Sequence, residues 1–293
     1  MPHAQTRDWP GHMPAAGAAV RQSFGHFGPL EVRLAVKEAE IEAAQRLRYE
    51  VFYDEMGAVP TQEARRLRLD RDHYDAVCDH LLVIERVGAA GAAERIVGTY
   101  RLLRRDVAAR VGLPLYTSTE FDLSPLLAGS GARLRLMELG RSCVARGKRD
   151  RRTLEALWHG IWAYVRSHGI EMMIGCASFP GVDPAKHRRP LDYLHRHHLA
   201  PHELRCRALT DRYVSLTASD GAGGADERAT LRALPPLVKG YLRLGAFVGD
   251  GAVVDHAFGT TDVLVILPVE RIDPRYFDHF GAPEGTDTRL RQG

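Results

Sequence analysis

The chain has 293 residues, 40 of them basic and 37 acidic, for a formal net charge of +3. That length can bury a large core as one domain or two small ones, and that balance argues against a protein that binds nucleic acid through bulk charge. Cys78, Cys143, Cys176 and Cys206 are widely spaced with no C-x-x-C pair, against a zinc site or disulfide framework and in keeping with a reducing cytosol. No stretch approaches the ~20 apolar residues of a membrane span.

The first 29 residues lack a continuous apolar core and are broken by Pro and Gly, so they read as a flexible leader and not as a signal peptide. Structure is expected from Leu30. Glu31–Val36 alternates as a strand does, and Lys37–Tyr53 places Ile41, Ala44, Leu47, Val51 and Phe52 on one helical face with Arg48 close to it. Asp54–Asp79 is polar and irregular and carries the cluster Arg71-Asp72-His73-Tyr74-Asp75. Irregular stretches of this length inside a domain are usually functional or disordered. His80–Val87 and Arg95–Leu103 are two strand-like runs joined by the hairpin signal GAAGAAE.

The densest information lies between Leu134 and Gly169. A short apolar run containing Glu138 and Arg141 is followed by a break at Gly147, with five basic residues in the seven from Arg146 to Arg152. Leu154, Leu157, Trp158, Ile161, Trp162 and Val165 then recur at helical spacing until Gly169. Amides at a helix N-terminus attract phosphate, and basic side chains add to the attraction; a plain solvated charge run is the other reading of such a turn. A carboxylate within an apolar strand needs a partner, because burying an unpaired charge is costly. Glu138 therefore reads either as a proton acceptor beside a bound anion or as an ion pair with Arg101 or Arg141.

Beyond it, Ile170–Ala177 reads as a strand, Asp183–His198 as a helix and Arg212–Thr217 as a strand; Ser219–Asp226 is a flexible loop. Pro235 and Pro236 open a short helix, Phe247–Val254 and Asp262–Val269 complete the sheet, and the tail from Gly281 is polar. The pattern predicts an α/β fold, a mixed central sheet flanked by helices, in a single domain over residues 30–280 with a flexible tail at 281–293. Cys143 reads as a buried thiol, since no histidine stands at an activating spacing. His195, His197 and His198 lack a further ligand nearby, so no metal site is expected.

Arg48-Tyr-Glu-Val-Phe52, Asp72-His-Tyr-Asp75, Gly98-Thr-Tyr-Arg101-Leu102, Phe121 and Glu138-Leu-Gly-Arg141 follow one another in an order that resembles the acyl-homoserine-lactone synthases, acyltransferases of the GNAT superfamily. The C-terminal runs PPLVKGYLRLGAFV and DHAFGTTDVLVILPV are similar to those of the bacterial L-ornithine Nα-acyltransferases of ornithine-lipid synthesis, sometimes labelled hemolysin-like. That resemblance, over about Leu30 to Tyr276, implies a GNAT-like acyltransferase fold. It also implies transfer of a 3-hydroxyacyl group from acyl carrier protein to the α-amine of ornithine, giving a lyso-ornithine lipid. By position, Glu138 becomes the general base, and Arg48, Asp72, Asp75, Arg101 and Arg141 the substrate-binding signature residues. Asp72 and Asp75 can hold ornithine's distal ammonium or pair with Arg48, Arg101 and Arg141 to order the loop. Loop ordering is the favoured expectation of the two.

Arg146, Gly147, Lys148, Arg149 and Arg152 would receive the phosphopantetheine of the carrier protein, with Lys239 and Arg243 as an alternative dock. The turn lacks the second glycine common in coenzyme A-dependent GNAT enzymes, a departure that suits an arm with one phosphate. The only cofactor implied is the donor's own acyl-phosphopantetheine. The alternatives are another amine (glutamine, lysine or S-adenosylmethionine) or a non-catalytic membrane-associated protein. A cytoplasmic location is expected, with room for peripheral contact at the inner membrane.

Overall fold

The computed structural model describes residues 23–87, 93–128, 131, 133–217 and 227–273. The sheet begins earlier than the sequence reading placed it. Ser23–Phe27, assigned there to the leader, forms β1 and pairs antiparallel with β2, Leu30–Leu34. Helix α1 follows at Glu38–Tyr49 and runs directly into a π-helical turn at Glu50–Glu55.

The segment read as irregular contains a short helix α2, Gln62–Leu67, whose first turn is capped by the Thr61 hydroxyl, and a 3-10 turn at His73–Ala76. β3 (Asp79–Val87) and β4 (Ala93–Arg104) are the expected antiparallel pair; the tip of their hairpin lies outside the described residues. α3 (Arg105–Arg110), a 3-10 turn at Tyr116–Thr119, β5 (Phe121–Asp122) and α4 (Ser124–Leu127) then lead to β6, Leu136–Val144.

The long amphipathic helix is α5, Arg151–His168, and β7 follows at Met172–Pro180. α6 (Arg188–His198), β8 (Arg207–Ala208), α7 (Glu227–Ala233), α8 (Pro236–Arg243), β9 (Phe247–Asp255) and β10 (Thr260–Pro268) complete the described chain. Arg212–Thr217 is not a strand. Val214 makes one isolated bridge to Ala252, while the Tyr213 hydroxyl donates to Asp250 and its ring occupies the space above Gly251. The loop Ser219–Asp226 and the tail from Gly281 lie outside the described residues.

Ten strands form one mixed sheet in the order β1-β2-β3-β4-β6-β7-β10-β9-β8-β5. Alternation along β3 sends its side chains to opposite faces. Leu81 faces α5, where Gly160 lets the helix settle against Val32 and Leu81, whereas Leu82 and Ile84 pack on Ala44 of α1. No helix among the described residues is long and apolar enough to cross a membrane.

What positions the site is a divergence at the centre of the sheet. β6 and β7 are parallel partners only at Leu136–Met172, Met137–Met173 and Glu138–Ile174. Beyond that point β6 continues along β4 and β7 along β10, leaving a wedge between them. At its apex a Cβ on Gly175 would stand 2.4 Å from the Leu139 carbonyl oxygen, so only glycine allows so close an approach.

Candidate active site

The wedge opens into a cavity of about 1130 Å³. Its walls include β6 from Glu138 to Val144, Cys176 and Ser178 of β7, and the N-terminal part of α5; residues of α8, among them Pro236, Lys239 and Arg243, form another side. β6 is irregular where it faces this space. Thr99 pairs with Cys143 but Arg101 with Gly140, so Arg141 and Ser142 together oppose a single residue of β4. The result is a β-bulge. Arg141 takes φ 49°, a left-handed conformation uncommon for a non-glycine residue.

That strained residue is held from several sides. Its guanidinium contacts Asp70 at 3.2 Å and Asp72 at 3.4 Å, and lies 5.1 Å above the Tyr116 ring and 4.6 Å above Phe258. Asp72 also accepts from Arg101 at 2.6 Å. Arg48 is enclosed between Asp70 at 2.8 Å and Asp75 at 2.9 Å. Burial opposes ionisation of Asp75, but Arg48 and Arg101 outweigh it and lower the carboxyl to about 2. Asp72 is lowered in the same way by Arg101 and Arg141.

Of the five signature residues, Arg101 and Arg141 line the cavity, while Arg48, Asp72 and Asp75 stand behind its wall. Asp72 and Asp75 pair with the three arginines, Asp75 with Arg48 and Asp72 with Arg101 and Arg141. Asp72 additionally caps the 3-10 turn through the Tyr74 amide.

Glu138 lines the cavity yet is only 4% exposed. It forms no ion pair with Arg101 or Arg141 among the described contacts. Its Oε1 accepts from the Thr117 amide at 2.6 Å and from the Thr117 hydroxyl, and its Oε2 accepts from the Tyr116 amide at 2.8 Å. Burial raises its pKa above the usual carboxylate range, and these hydrogen bonds with Arg101 offset only part of that rise. The carboxylate thus anchors the 3-10 turn at Tyr116–Thr119 and faces the cavity with acceptor capacity left on Oε2.

The basic turn has formed partnerships of its own. Lys148 pairs with Glu85, and Arg149 grips both oxygens of Glu55 at 2.5 and 2.7 Å while also lining the cavity. Gly147 turns with φ 79°, Asp150 caps α5 through the Thr153 amide, and Arg152 lies over Gly28. Arg146 adds its charge near Glu55. Lys239 and Arg243 also border the cavity. Cys143 is buried, and burial pushes its thiol up to about 12, away from the thiolate form.

A second acidic group was missed in the sequence. Glu120, Asp255 and Asp262 bring one oxygen each within 4.8 Å of one another at the cavity wall. Asp262 opens the run DVLVILP and Glu120 precedes the buried Phe121, the same signal of a carboxylate against apolar neighbours that singled out Glu138. Tyr116 and Thr117 carried no comparable signal.

A parallel pair splayed beside a strand bulge, with a buried carboxylate and a basic helix entrance, defines a GNAT acyltransferase, and a GNAT acetyltransferase domain matches residues 47–159. The chain belongs to the family of the L-ornithine N(alpha)-acyltransferases. It is 48% identical to the protein of that name from Rhizobium meliloti, over 92% of this chain and 90% of the relative. It is 49% identical to that from Brucella abortus, over 88% and 91%. Among solved structures, the N-acyl amino acid synthase FeeM from uncultured soil microbes aligns with TM-score 0.46 at 10% identity, over 85% of this chain and 98% of that one.

Arg48→Ala removes the nearest cation from buried Asp70 and Asp75, leaving Asp70 to Arg141 and Asp75 to the more distant Arg101, and costs about 3 kcal/mol. Because the folded pKa of Asp75 lies below its ordinary 3.8, the stability it supplies is present above that value and lost as pH falls toward about 2. Thermal melts from pH 7 to pH 2.5 should show the gap between wild type and variant narrowing below pH ~4. A gap constant over that range would contradict the ion-pair account.

Proposed function

We propose that the protein transfers a 3-hydroxyacyl group from acyl carrier protein to the α-amine of L-ornithine, giving a lyso-ornithine lipid. The observation that carries the acceptor is the 43–49% identity, over 85–92% of this chain, to relatives named for that acceptor. The donor reading is supported by the wedge, whose open β6 edge suits an extended pantetheine arm, and by Arg149, Lys239 and Arg243 beside it. An acidic carrier protein complements that rim.

The chemistry needs alignment, a proton acceptor and charge stabilisation. The neutral α-amine attacks the thioester carbonyl, forming a C–N bond. Glu138, directly or through water, takes the proton that the nitrogen gives up. Amides at the Arg141–Ser142 bulge stabilise the oxyanion. The C–S bond then breaks, and the pantetheine thiolate regains a proton as it leaves. Burial raises Glu138 toward the pKa such a base needs. Arg101 and Arg141, at the cavity wall, provide positive charge for the α-carboxylate of the acceptor.

The test is release of free thiol from 3-hydroxyacyl carrier protein with ornithine, glutamine, lysine or S-adenosylmethionine. Release with ornithine far above the others is expected; preference for another amine would replace the acceptor, and no release with any amine would remove the N-acyltransferase reading.

Glu138→Gln should lower kcat by about 100-fold or more and flatten the dependence on pH. Because glutamine also disturbs the anchor on the Tyr116 turn, Thr117→Val serves as control, loosening the turn while keeping the carboxylate. If both variants lose activity equally, or Glu138→Gln keeps its rate across pH, Glu138 is an anchor and not the base.

A further inference from the structure

We infer that Glu120, Asp255 and Asp262 form a subsite for the second, non-reacting ammonium of the acceptor, and so select an amino acid whose side chain ends in a cation. This rests on the reading of the protein as an amino acid N-acyltransferase and adds to it the group that reads the substrate's far end.

The three carboxylates come from two parts of the chain, Asp255 and Asp262 sharing the β9–β10 hairpin. Glu120 follows the 3-10 turn Tyr116–Thr119, Asp255 ends β9, and Asp262 lies in β10 opposite Ser178 of β7. Their oxygens lie within 4.8 Å of one another. An ammonium nitrogen with three donors, ~2.8 Å from each of three acceptors, spaces those acceptors roughly 4.6 Å apart.

Beside the trio, Oγ1 of Thr260 is buried with no hydrogen-bond partner among the described residues, as is Oδ1 of Asp262 within it. Their residues are only 4% and 6% exposed, and both line the cavity. Buried polar atoms in a native fold normally have partners, so atoms left open at a cavity wall point to a group that arrives with the substrate.

The local charge is unbalanced in the same sense. Arg212 lies 3.7 Å from Glu120; Arg141 also acts on Glu120, but is itself engaged by Asp70 and Asp72. Burial, and then the charge of Glu120, push Asp262 up to about 7, with the nearby hydroxyls of Ser178 and Thr260 offsetting only part of this. Burial also raises Glu120, despite the Cys176 thiol that donates to it at 3.2 Å. A bound cation relieves this repulsion.

Glu138 holds the first amides of the Tyr116–Thr119 turn and Glu120 stands directly after its last residue. The proposed base and the trio thus flank the two ends of one four-residue turn at the cavity wall.

The experiment compares L-ornithine with L-norvaline, the same chain without its terminal ammonium, on wild type, Glu120→Gln and Asp262→Asn. Wild type should favour ornithine in kcat/KM by roughly 100-fold or more. Each variant should lower that ratio at least tenfold, through a higher KM for ornithine. In thermal melts ornithine, and not norvaline, should raise the Tm of wild type, and Asp262→Asn should lose that response. Equal loss of kcat on both amines would make the trio part of the chemical step and overturn the proposal. So would a Tm rise with magnesium chloride in place of ornithine. Absence of turnover by wild type on every amino acid would count against the acyltransferase reading, while the ornithine-dependent Tm rise and its loss in Asp262→Asn still report the subsite.

Discussion

The site depends on the parting of two strands. Hydrogen bonding between β6 and β7 stops after Glu138 and Ile174, while β6 continues along β4 and β7 along β10. Had the pairing continued, the cavity would be filled by sheet. Instead β6 presents an edge within the protein, where an extended ligand can pair with backbone and remain out of water. The bulge at Arg141–Ser142 adds a second irregularity at the same place. Strain of this kind persists only when its surroundings over-determine it, and two aspartates and two aromatic rings do so for Arg141.

Two acidic systems flank that wedge with opposite electrostatic character. Behind the wall, Asp70, Asp72 and Asp75 are matched by Arg48, Arg101 and Arg141, so Asp72 and Asp75 are held ionised. Such a network rigidifies the loop and fixes Arg101 and Arg141 at the cavity wall. At the cavity wall, Glu120 and Asp262 have raised pKa values and buried polar atoms remain open. The first arrangement pairs each aspartate with an arginine, whereas the second has, among the described ion pairs, only Arg212 beside Glu120.

Much of the fold was legible because the periodicities were clean. Strand alternation located β2, β3 and β4, and the stripe from Leu154 to Val165 with Gly169 as its stop located α5. Glu138 stood out as a carboxylate in an apolar run. What no local pattern could convey was its partner, since the amides of Tyr116 and Thr117 reach it only through the tertiary fold. The meeting of Glu120 with Asp255 and Asp262 was hidden for the same reason, since the Tyr116–Thr119 turn and the β9–β10 hairpin converge on one wall only in the fold. Tyr213 misled in the other direction. Its run looks like a strand, but only Val214 pairs, with Ala252, and the Tyr213 ring lies over Gly251.

Hydrogen exchange with a non-hydrolysable acyl-pantetheine analogue addresses the wedge directly. If the donor arm lies along the free edge of β6, amides from Leu139 to Val144 will exchange more slowly when the analogue binds. Protection restricted to the basic turn at Arg146–Arg152, with β6 unchanged, would contradict the account.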